Sequence, residues 1–196
     1  MTTVISKQEF DLHASVIAQN SKNAGVVRDY QASSLRRADD ALFVTRNISG
    51  MKNIKFTQPS DKRTVGVCNV ADGKTKPNQI FLVTHVQVLV ATVAGTAAIT
   101  DEVIAGIANF TSPASNGPVR NGHLTIKSDG QPIIQEEPIE VFVNDNDNTQ
   151  KLGVFKLREP KMLYADSQVS LEAEFGVAAP DRTVMKIVLY GSGTIS

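Results

Sequence analysis

Gln168-Val-Ser-Leu-Glu-Ala-Glu-Phe-Gly176 and, after a loop, Thr183-Val-Met-Lys-Ile-Val-Leu-Tyr-Gly191 decide the fold class of this chain. In the first run Val169, Leu171, Ala173 and Phe175 alternate with Ser170, Glu172 and Glu174. Side chains on a strand point to opposite faces with period two, so the run reads as a strand with one buried and one wet face. The second run sets Met185, Ile187 and Leu189 against Lys186 and is expected to be its antiparallel neighbour. Gly176 to Arg182, with Gly, Ala-Ala-Pro and Asp, reads as an irregular turn rather than a crossover helix.

Upstream, Asn53-Ile-Lys-Phe-Thr57 alternates and Thr64-Val-Gly-Val-Cys-Asn-Val70 is a short apolar run. Ile80 to Thr100 carries no Asp, Glu, Lys or Arg and is long enough to cross a bilayer as a helix. Its β-branched content, internal His85 and Gln87, and Gly95 instead predict a strand buried on both faces. Asp101 and Glu102 suit the start of a short helix. Ser112 to Asn121 reads as a loop. His123-Leu-Thr-Ile-Lys127, a Ser128-Asp-Gly130 turn, Pro132-Ile-Ile-Gln135, Ile139-Glu-Val-Phe-Val143 and Leu152-Gly-Val-Phe-Lys-Leu157 continue the strand pattern. With few helices for crossovers, the expected fold is mainly β: an antiparallel sandwich or jelly roll of about eight strands.

The first fifty residues differ. Ser6-Lys-Gln-Glu9 has the capping-box pattern, Phe10, Ala14, Ile17 and Ala18 share a helical face, and Asn23 with Gly25 marks a stop. A second helix would gather Leu35, Ala38 and Leu42, with Arg36 and Arg37 near Asp39 and Asp40. The expected division is a partly helical N-terminal arm over 1–50 and a jelly-roll domain over 51–196. The arm either packs on its own domain or reaches a neighbouring subunit.

The chain has 196 residues, with Lys plus Arg and Asp plus Glu at 20 each, so net charge gives no reason to invoke nucleic acid. The distribution is uneven: Lys52, Lys55, Lys62, Arg63, Lys74 and Lys76 dominate 51–76, whereas acids dominate 77–150. Opposed patches of this kind would align copies head to tail; solvated loops of different sign are the plainer reading. Cys68 is alone, which excludes an intrachain disulfide and a cysteine zinc cluster. Met1-Thr-Thr-Val-Ile-Ser-Lys7 lacks the basic and apolar regions of a signal peptide.

Motifs for chemistry fail on inspection. Asp72-Gly-Lys-Thr75 resembles the tail of a phosphate-binding loop, but Cys68 stands where its first glycine belongs. Asn144-Asp-Asn-Asp-Asn148 offers oxygens to calcium, yet Gln150 and Lys156 replace the Gly and Glu of an EF-hand. His13, His85 and His123 are far apart, so a hydrolytic triad would have to be assembled by folding. Glu136, Glu137 and Glu140 read as an exposed strand edge. The chain has no Trp and three Tyr, which weakens a sugar-stacking site. No catalytic residue, cofactor or metal is expected.

Asn121-Gly-His-Leu-Thr-Ile-Lys127, Lys161-Met-Leu-Tyr-Ala-Asp-Ser-Gln-Val-Ser-Leu-Glu-Ala-Glu-Phe175 and Val184-Met-Lys-Ile-Val-Leu-Tyr-Gly191 follow one another in a cadence. It resembles that of jelly-roll capsid proteins of icosahedral bacterial viruses, over residues 50 to 196. The resemblance implies a structural subunit that associates with copies of itself as a trimer or pentamer. It also implies tiling of a virion shell assembled in the host cytoplasm, with other virion proteins as further partners. Expected exposure of the arm and long loops marks Phe10, Ile17, Pro113, Val119, Asn146 and Pro180 as contact residues. The competing readings are a β-sandwich module that binds carbohydrate or a receptor, and a membrane-associated virion component.

Overall fold

The computed structural model describes residues 15, 24–31, 36–77, 79–143 and 152–195. Among them are eight strands: β1 Arg36–Asn47, β2 Asn53–Lys55, β3 Phe81–Thr92, β4 His123–Ser128, β5 Gln131–Pro138, β6 Val154–Leu163, β7 Val169–Glu174 and β8 Thr183–Ile195. Every pairing is antiparallel and nested: β1 with β8, β2 with β7, β3 with β6, β4 with β5. The chain is thus one long hairpin, turning at Asp129-Gly130, that has rolled up into two sheets. Sheet A has the order β1-β8-β3-β6 and sheet B the order β2-β7-β4-β5. This is a jelly roll, as the alternation and the scarcity of helices predict.

Alternation builds the core between the sheets. Leu42, Val44, Val86, Val88, Ile187 and Leu189 point inward from sheet A; Leu124, Ile126, Val169 and Leu171 meet them from sheet B. A bulge at Thr84 keeps β3 in phase on both sides: before it Phe81 and Val83 face the core, after it Val86 and Val88 do. Beside the bulge, a Cβ on Gly191 would collide with the Leu82 carbonyl, so only glycine lets β8 pass there.

The structure corrects five local expectations. The two closing runs are not neighbours: β7 lies between β2 and β4, β8 between β1 and β3, and the turn between them crosses from sheet to sheet. Both runs have an apolar inner face, and each satisfies it by lining one side of the shared core. Arg36–Asn47 is a strand rather than a helix, paired with β8 from end to end. Leu42-Phe-Val-Thr45 carries the β-favouring side chains, and tertiary pairing overrides the helical charge spacing. The sandwich therefore begins inside the segment assigned to the arm. A helix occupies Ala24–Gln31, past the expected stop, with Gly25 in its first turn.

The run 139–143 is a 3₁₀ turn, Ile139–Phe142, not a strand. Ile139 and Phe142, three apart, are both fully buried on one side of it. The proline-rich loop is two helical turns, Pro113–Ser115 and Gly117–Arg120. Each has Pro in its first turn, and the Asn116 side chain accepts a bond from Val119 N at 3.3 Å. The helix at Asp101–Ala105 forms where expected, with Thr100 as its N-cap. Ile80 to Thr100 is mostly strand β3, and no helix among the described residues is long and apolar enough to cross a membrane.

A candidate interaction surface at one end of the sandwich

Sheet edges are a first place to look for partners, and this chain blunts each of them. Beside β1, the segment 67–69 acts as a further strand: Thr45 N donates to Val67 O, and Asn69 N to Phe43 O. The Asn69 side chain completes the ladder, accepting from Phe43 N at 2.7 Å and donating to Ala41 O at 2.6 Å. Strand β5 carries Pro132, Pro138 and a left-handed Glu136. Strand β6 exposes Arg158, Glu159 and Pro160, and β2 is three residues long. The outer face of sheet B is also closed to apolar docking, since Lys55, Glu172, Glu174, His123 and Lys127 project from it.

The apolar exception lies at one end. Among the described residues the exposed large apolar side chains are Met51, Val65, Val141 and Val177, and two of these sit together. The turn from β1 to β2 and the turn from β7 to β8 are zipped by backbone bonds, Gly50 N to Ala179 O and Ala179 N to Met51 O, each 2.9 Å. A further bond joins Phe175 N to Lys52 O at 2.6 Å. This places Met51, 41% exposed, and Val177, 65% exposed, on one knob with exposed Pro180 beside them.

Next to the knob is an open hollow of about 480 Å³. One wall is the loop 95–99 after β3; the other comprises Asn47, Ser49, Asp181 and Arg182. Arg182 builds the first wall: its guanidinium donates to Val93 O at 2.8 Å, Ala97 O at 2.9 Å and Ala94 O at 3.2 Å. The hollow's lining includes no aromatic ring.

Of the residues marked as contacts from sequence, Pro180 lies on this end and is exposed. Pro113 and Val119 are buried in the chain's own core, Val119 completely, so the exposure that singled them out is not there. Phe10, Ile17 and Asn146 lie outside the described residues, as does the Asn144–Asn148 segment weighed for calcium. Met51 and Val177 went unnoticed in the sequence because a single apolar residue in a turn carries no periodic signal. Only the zipping of two distant turns brings them together.

Part of the basic excess of 51–76 is paired within the fold. Arg46 pairs with Asp61, Lys55 with Glu172, Lys74 with Asp166 and Lys76 with Asp40. Three of the basic residues from 51–76 thus meet acids from other parts of the chain. Arg46 also donates through Nε to Phe56 O at 3.0 Å, fixing the start of the β2–β3 connection.

The residues weighed for chemistry are dispersed. His85 is on the outer face of sheet A, paired in register with Tyr190 and Lys156, its Nδ1 2.9 Å from Thr84 Oγ1. His123 is exposed on sheet B opposite Glu174. Cys68 is buried with its Sγ 3.2 Å from Val70 O, and burial pushes its thiol pKa up, away from thiolate chemistry. Lys186 lies over Phe43 and Phe110, 5.0 and 5.5 Å from their ring centres, and burial lowers its pKa. Among the described residues no group of three or more His, Cys, Asp or Glu is placed to hold a metal ion. Asp72-Gly73 forms a 3₁₀ turn with both residues in the left-handed region. No protein-family model, curated protein or solved structure matches the chain.

Proposed function

We propose that this protein is a structural virion subunit whose jelly-roll domain associates with copies of itself to form the capsid shell of an icosahedral bacterial virus. The observation that carries the reading is the nested strand order, β1-β8-β3-β6 over β2-β7-β4-β5. Capsid subunits and lectin-like modules are both built on this roll. The sequence cadence of the C-terminal half favours the capsid use. So does the loop end, where an apolar knob stands in place of an aromatic sugar platform. In this reading the protein performs no chemistry; its partners are other copies of the chain and other virion proteins, met during assembly in the host cytoplasm.

The test is sedimentation of the purified full chain followed by negative-stain imaging over a range of salt concentrations. Closed particles, or discrete rings that convert to particles, are the expected result. A strict monomer at high concentration in every salt would instead assign the chain to the carbohydrate- or receptor-binding class.

A further inference from the structure

We infer that the N-terminal segment, residues 1–35, lies back over its own sandwich and covers the outer face of sheet A as a third layer, with helix Ala24–Gln31 beside the entry into β1. The inference does not depend on self-association.

Sheet A carries an outward patch that its own plane cannot close. Leu82 points away from the shared core yet is 1% exposed, and Ile80, Val188, Ser192 and Thr194 around it are buried too. In the sheet Leu82 is flanked by Met162 on β6 and Ser192 on β8. Such neighbours screen a side chain from the side; its tip leaves water only under another element. The burial is complete in a single copy, so the covering element belongs to this chain.

Position selects the segment. The patch lies at the end of sheet A where the chain enters it: Arg36 pairs with Ile195, and Asp39 opposes Ser192, which opposes Leu82. The step from Gln31 to Arg36 spans at most about 18 Å of extended chain. Neighbouring strands lie about 4.8 Å apart, so β8 and β3, one and two strands in from β1, are within reach. The helix has two sides: Ala24 and Arg28, one turn apart, are exposed, whereas Gly25 and Val27 are half-buried. Before it, Phe10, Ala14, Ile17 and Ala18 recur at helical spacing, an apolar stripe that suits an apolar sheet. Sheet B offers the segment a charged face instead, with Lys55, Glu172, Glu174 and Lys127. A third layer on sheet A leaves sheet B and the loop ends as the surfaces open to partners.

The test is amine-to-amine cross-linking of the dilute full chain, prepared as an equal mixture of unlabelled and isotope-labelled protein so that links within one chain separate from links between chains. Lys7 and Lys22 lie in the segment, Lys156 and Lys186 on the outer face of sheet A, and Lys55 and Lys127 on that of sheet B. Lys7 and Lys22 are expected to link to Lys156 and Lys186, in pairs of one isotope. Links chiefly to Lys55 and Lys127, or chiefly between isotopes, overturn the inference. Amide exchange of the full chain carrying Phe10→Asp and Ile17→Asp gives a second reading. Exchange around Leu82 should become at least about tenfold faster, with β4 and β7 unchanged, because only the covered end loses its layer. Exchange that stays as in the parent, or that rises equally in both sheets, overturns the inference.

Discussion

The two sheets share one core but differ on their outer faces. On sheet B the outward positions are Lys55, Glu172, Glu174, His123 and Lys127, the wet side of an amphipathic sheet. On sheet A the outward positions include Leu82, 1% exposed, with Ile80 packed beside it, and Val188, also buried. Buried Gln87 lies on the same face, tied to Leu152 O at 2.5 Å and to the Tyr190 hydroxyl at 2.8 Å. Sheet B therefore needs only its inner face covered to be stable, whereas sheet A also buries part of its outer face, with Lys156 exposed and His85, Lys186 and Tyr190 half-buried there. The lesson is that one fold holds two kinds of strand: β7 alternates with charged residues, and β3 carries no Asp, Glu, Lys or Arg at all.

The largest effect that separates the sheets should come from truncating an outward side chain in each. Leu82→Ala should cost about 2–5 kcal/mol in denaturant unfolding, as a buried core leucine does. Glu172→Ala, facing solvent from sheet B, should stay within about 0.5 kcal/mol. Equal small effects would mean that the outer face of sheet A is not a second buried layer.

The edges sharpen the contrast. Asn69→Ala removes both side-chain bonds that continue the sheet beyond β1 and should cost about 1–3 kcal/mol. It should also promote aggregation through the uncovered edge. On sheet B, Pro132→Val should promote aggregation with little change in stability, because that edge is guarded by its own residues. Light scattering during thermal unfolding distinguishes the two.

At the loop end, Arg182→Ala should loosen 93–97 through loss of three carbonyl bonds, read as faster amide exchange there with sheet B unchanged.

The smallest effect is a pH dependence in sheet A. Burial alone would raise the Asp40 carboxyl, but bonds from Gln79 and Ala41 N and the Lys76 ammonium outweigh it and hold the pKa below the usual range. A carboxylate depressed in the folded state adds stability that is present above its unfolded pKa and lost as pH falls through the folded value. Asp40→Asn should flatten the acid limb of the stability curve slightly, and an unchanged limb would show that Asp40 is not coupled to folding.

Much of this architecture is legible in the sequence. Alternation from Val169 to Phe175 marks a half-buried strand, and the uncharged run through β3 marks one buried on both faces, because both patterns follow from local side-chain direction. Pairing partners are not legible that way. Whether β8 lies beside β7 or across the core from it depends on β1 and β3, which reach β8 from far along the chain. The same limit hid β1, whose charges mimic helical spacing, and the 3₁₀ turn at Ile139–Phe142, whose apolar content mimics a strand. At the loop end Pro180 stood out as a turn residue, whereas Met51 and Val177 acquire meaning only when two turns zip together.

The most direct test of the central claim is the absolute mass of the unmodified full chain by light scattering, followed from dilute to concentrated solution at low and high salt. Self-association through the jelly roll predicts a mass that rises to a defined multiple of one chain. A mass fixed at one chain across the whole range would contradict the account.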